Sequence, residues 1–191
     1  MALTDRVQGI LLRPRQEWQV IDSEPATVSS LYTGYIAPLA AIGPVARFIG
    51  LAIFGISVPF AGAIRVPITT ALVQAIVSYA LALVGVYVLA LIVDALAPSF
   101  GGTRNPIAAL KVCAYSATAS WVAAVFALIP LLSILGILGL YSLYLLYLGL
   151  PVLMKVPQER ALGYTIAVIV VAVVLFFVVG LIVGSLIAVT V

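Results

Sequence analysis

Histidine is absent from the 191-residue chain, cysteine occurs once, and Asp and Glu together number six. The first absence excludes imidazole acid–base catalysis and the commonest metal ligand. The second excludes an intrachain disulfide and a multi-thiolate metal site. Charged residues of either sign make up only 8%, against about a quarter in an ordinary globular domain. Nine Lys and Arg leave a net charge of +3, but no run of five or six cations forms a nucleic-acid footprint. Nor do the sets that enzymes need occur. The apolar segments hold no facing carboxylate pair, no Gly-rich loop leads into Lys-Ser/Thr, and Cys113 stands without a base. The reading is a protein that is not an enzyme and takes no cofactor and no metal, with Cys113 as a small apolar filler.

What is abundant is apolar surface: 65% of residues, with a mean hydropathy of +1.32. A membrane-crossing helix takes about 20 apolar residues, so the chain predicts an all-α polytopic membrane protein with five transmembrane helices. These fall at about residues 31–56, 68–97, 107–128, 132–154 and 164–189. Pro38, Gly43-Pro44 and Arg47 mark the first as kinked. The uncharged run between Lys111 and Lys155 is 43 residues long, about twice what one crossing needs. It therefore reads as two spans turning at Ile129-Pro130-Leu131. The Val- and Ile-rich last segment would suggest strand in water, but in lipid the backbone must satisfy itself internally, which means helix.

Residues 1–30 form a separate amphipathic arm ahead of the membrane domain of residues 31–191, and hold seven of the fifteen charges. Leu3, Val7, Ile10 and Leu11 recur at the spacing of one helical face, with Asp5, Arg6 and Gln8 assigned to the other. Pro14 opens a second helix carrying Trp18 and Ile21. Leu3, Val7, Ile10, Leu11 and Trp18 together are the candidate membrane-surface face. The start is too short and too acidic for a cleavable leader, so residue 1 is expected to begin the mature chain.

Five crossings place the termini on opposite sides. A cytoplasmic N-terminus puts Arg6, Arg13, Arg15, Arg104, Lys111, Lys155 and Arg160 inside and only Arg47 and Arg65 outside, the asymmetry expected of the positive-inside rule. The C-terminus is then outside. All six acids also fall inside, so a cytoplasmic protein partner finds its charged handles there.

Within the membrane, Asp94, Lys111, Tyr115, Ser116, Tyr141 and Tyr144 form a candidate polar seam between spans two, three and four. Asp94 and Lys111 are read as an ion pair, as independent interfacial charges, or as an ion-coupling site. The tyrosines are read as interhelical glue or as the lining of a lipid or small-molecule pocket. Gly180 and Gly184, four apart, offer a close-approach face for internal packing or a homo-oligomer. Ala119, Ala123 and Ala127 offer another.

Lys111-Val112-Cys113-Ala114-Tyr115-Ser116, Ile129-Pro130, the run Tyr141-Ser142-Leu143-Tyr144-Leu145-Leu146-Tyr147-Leu148-Gly149-Leu150 and Val156-Pro157-Gln158-Glu159-Arg160-Ala161 occur in that order. With Pro14, Trp18 and Tyr35-Ile36-Ala37-Pro38 ahead of them, the chain resembles the Ypt-interacting-protein (YIP) family in its prokaryotic form over about residues 14–189. The resemblance implies a polytopic protein with a cytoplasmic N-terminus, in a family linked in eukaryotes to Rab GTPases and vesicle traffic. Ser30-Leu31-Tyr32-Thr33-Gly34 stands where eukaryotic members have Asp-Leu-Tyr-Gly-Pro, and Ala114 replaces the Gly of Gly-Tyr-Ser. Rab binding is accordingly not implied. The expectation is a non-enzymatic protein of a prokaryotic plasma (inner) membrane, surrounded by membrane lipids, that organises the membrane or recruits cytoplasmic partners. The alternative is a small transporter or lipid-handling protein using the seam.

Overall fold

The computed structural model describes residues 2–58, 62–64 and 67–190. Five helical segments are long and apolar enough to cross a membrane: Val28–Ile53, Ile68–Phe100, Pro106–Leu128, Leu131–Met154 and Gln158–Gly184. We number these spans one to five. Ahead of them stand two short helices, α1 (Leu3–Leu12) and α2 (Pro14–Ser23). Between spans one and two, Ile56–Val58 and Gly62–Ile64 pair as a small antiparallel ribbon, Ser57 opposite Ala63. Arg65, counted on the outer side by charge, lies outside the described residues.

Span one is irregular for a local reason. Pro38 has no N–H to give and its ring crowds the preceding turn, and just before it Tyr32–Ile36 widens into a π-turn closed by the Ala37 N–H on the Tyr32 carbonyl. Such widened turns tolerate a proline and rotate the side chains around them. Tyr35, within the turn, is carried inward and buried.

Span three is the hub. Asn105 caps it by accepting from the Ala108 N–H at 3.0 Å, Pro106 occupies the first turn, and every residue from Ala108 to Ser116 is buried. Its far end tightens to a 3₁₀ helix at Ala124–Leu128. There Gly50 of span one approaches so closely that a Cβ would lie 2.7 Å from the Ala127 carbonyl oxygen. Ile129 is extended, and the chain returns through a 3₁₀ stretch, Pro130–Leu140, before the α-helix Tyr141–Met154. Ser120 ties the two legs together, donating from Oγ to the Gly139 carbonyl at 3.0 Å and from its N–H to Ser142 Oγ, also at 3.0 Å.

Spans two and five pack side by side at the periphery. Tyr164, fully buried, donates to the Val93 carbonyl and stacks on Phe100 with ring centroids 5.0 Å apart. Beyond Val168 the fifth span exposes Val170, Val173, Val174, Phe176 and Phe177, the outward apolar surface a lipid-facing helix requires. A Cβ at Gly180 or Gly184 would meet nothing, so both face open space.

Candidate functional site

The arm does not lie free. Ile10 and Trp18 are wholly buried in the same core as Tyr115, Leu145 and Leu150, and Leu3, Val7 and Leu11 pack against it. The candidate membrane-surface face is thus turned onto the protein's own spans. The correction has a simple cause: a groove between helices offers apolar side chains the same escape from water that lipid does, and span four provides one at Gly149. A Cβ there would come within 2.6 Å of Trp18 Cζ2, so the indole lies directly on the helix backbone.

Four contacts run in order from the end of α2 back to the end of α1 and along span four. Asp22 pairs with Lys155 at 2.6 Å, Trp18 lies on Gly149, Arg13 to Gln16 flank a recess with Tyr144, and the Leu11 carbonyl accepts from the Tyr141 hydroxyl at 3.2 Å. The arm therefore descends beside span four for nearly four helical turns. Its tip reaches the level of Tyr141.

At the centre of this packing is a charge that sequence reasoning placed on the wrong side. Arg6, only 5% exposed, pairs through Nη1 with Glu17 of α2 and through Nη2 with Glu24 just beyond it. Its guanidinium carbon lies 5.7 Å from the centroid of the Tyr115 ring, within cation–π range. Burial works against the Arg6 charge, but the hydrogen bond to Glu24 and the attraction of Glu24 and Glu17 outweigh it and raise its pKa above the ordinary arginine value. At about 100° per residue, Arg6 falls about 60° from Leu3 and beside Ile10. It is on the flank of the apolar face, not opposite it, and that offset is the signal that could have revealed it.

Lys111 completes the latch from span three. Its Nζ donates to the Ile21 carbonyl at 2.7 Å and to the Glu24 carbonyl. These belong to the end of α2, where carbonyls lack helical partners and the helix dipole favours a cation. Tyr115 packs its ring 4.5 Å from that of Tyr35 and edge-on to Trp18 at 6.4 Å. Thr118 Oγ1 donates to the Tyr115 carbonyl at 2.7 Å, so the 2.6 Å bond between Thr118 and Tyr35 has the phenol as donor. Tyr35→Phe is expected to cost about 1 kcal/mol as a lowered thermal midpoint in detergent, with hydrogen exchange in α1 unchanged.

The other seam positions lie elsewhere. Asp94 on span two has one buried carboxylate oxygen without a partner among the described residues, and Lys111 is engaged by α2 instead of by Asp94. Ser116 Oγ is buried and, among the described residues, has no hydrogen-bond partner. Tyr141 meets the arm, and Tyr144 packs against Tyr141 at 5.5 Å while remaining exposed. Of the six, the structure places Lys111 and Tyr115 on one recess with Arg6 and Glu24, Glu17 being paired with Arg6, and sets Tyr141 and Tyr144 against each other apart from them. Among the described residues no group of His, Cys, Asp and Glu could hold a metal ion.

No curated protein and no solved structure matches the chain. A family model does: the Yip1 domain covers residues 9–182, from the last turn of α1 to the far part of span five, and with it α2 and the bundle, Arg6 lying just ahead of the match. This membrane protein belongs to the YIP family.

Proposed function

We propose that the protein is a non-enzymatic organiser of the membrane, acting as a rigid wedge with its arm on the cytoplasmic side. The observation that carries this reading is the depth of the arm: contacts from Asp22–Lys155 to Leu11–Tyr141 set two extra helices beside span four. The arm therefore adds its own cross-section to that end of the bundle. The positive-inside asymmetry supports a cytoplasmic arm in the plasma (inner) membrane, and the YIP family is not known for an enzymatic activity. A partner recruited from the cytoplasm would meet a fixed surface, with Asp5, Gln8 and Gln19 exposed on it, and not a loose tether. Transport along the seam has less support, since Lys111 is committed to α2.

A wedge sorts by curvature. In reconstituted vesicles, the fraction of molecules with the arm outward is expected to rise as vesicle diameter falls, read by membrane-impermeant thiol labelling of Glu159→Cys in the exposed turn on the arm's side, Cys113 being buried. An arm-outward fraction independent of diameter would overturn the reading.

A further inference from the structure

We infer that the cleft between α2 and the adjoining ends of spans four and five binds the headgroup of an anionic phospholipid. The inference goes beyond the wedge reading and does not depend on it. The cleft has a volume of about 380 Å³, within the range of small-ligand sites. Arg15, Gln19 and Gln158 line it with polar groups; Leu148, Pro151 and Val152 line it with apolar ones. No carboxylate is among its lining residues.

Three observations give the ligand its chemistry. Arg15 forms no ion pair among the described residues, whereas Arg6 and Lys155 each have a carboxylate. Arginine presents only donors, in a fork that suits phosphate oxygens. Trp18, which also lines the cleft, is wholly buried, and its Nε1 has no hydrogen-bond partner among the described residues. The site thus carries an unpaired positive charge and no negative one, and its donors, from Arg15, Gln19 and Gln158, outnumber its acceptors, a balance an anion suits. Finally, the cleft lies beside the polar turn at Lys155 to Pro157, where a headgroup would sit, and its apolar wall from Val152 to Leu148 follows span four one turn toward the membrane interior. A soluble anion would have no use for that wall; an acyl chain would.

The chain has two tryptophans, Trp18 and Trp121. In full-length Trp121→Phe protein held in mild detergent, Trp18 emission reports on the cleft. Short-chain phosphatidylglycerol is expected to give a saturable change, with phosphatidylcholine roughly tenfold weaker. Arg15→Gln should weaken phosphatidylglycerol about tenfold, while Arg13→Gln, outside the cleft, should leave it unchanged. Val152→Phe, which fills the cleft, keeps Arg15 and adds no second tryptophan, should abolish saturation. Equal response to both lipids, equal loss in the two arginine variants, or no saturable change would overturn the proposal. So would inorganic phosphate binding as tightly as the lipid, which would make this a soluble-anion site.

Discussion

Arg6→Met is expected to release the arm, with amides of Leu3–Leu12 exchanging roughly a hundredfold faster while the spans remain inserted. Removing one partner of a buried ion pair costs about 3–5 kcal/mol because the other charge is left without compensation, and each 1.4 kcal/mol is tenfold in the opened population. Here Glu17 is the stranded group: its side chain is 12% exposed, against 40% for Glu24. The penalty should therefore be partly relieved in the double variant Arg6→Met, Glu17→Gln, and little relieved by adding Glu24→Gln instead. Exchange in α1 unchanged by Arg6→Met would show that the apolar face alone holds the arm.

Gly149→Val should have the second largest effect, by a different route. The added side chain would begin 2.6 Å from Trp18 Cζ2, and overpacking of this kind costs about 1–3 kcal/mol. The indole cannot yield inward, since it is wholly buried in the core with Tyr115. The expected outcome is a lowered thermal midpoint, faster exchange in both arm helices, and loss of the curvature-dependent orientation proposed above. Trp18→Leu should restore stability in the Gly149→Val background and lower it in the wild type, a size swap that separates a steric clash from any other fault at the glycine.

The membrane architecture was legible because bilayer thickness sets helix length. The 43 uncharged residues between Lys111 and Lys155 could only be two crossings, and the break at Ile129-Pro130 divides them where the chain is extended. The arm was half legible. Its helices and their break at Arg13-Pro14 follow from periodicity and proline, but Leu3, Ile10 and Trp18 would look the same facing lipid or facing a groove. What distinguishes the two is on other elements: a glycine on span four bare enough for an indole, and Lys111 within reach of the end of α2. Neither carries a local signal, since both depend on which helices meet. The same limit applied to Asp94 and Lys111, whose depths along their helices do not say which neighbours they face.

The two arm helices end in the same way: the Leu11 carbonyl is satisfied by Tyr141 of span four, and the carbonyls of Ile21 and Glu24 by Lys111 of span three. Each arm helix is only ten residues long, too short to hold its shape alone in water. The arm, which is made before the spans, thus contains helices whose closing hydrogen bonds come from residues synthesised some ninety to one hundred and thirty positions later. Translation order and docking order are reversed for this segment, which reaches its place only once spans three and four are there to receive it.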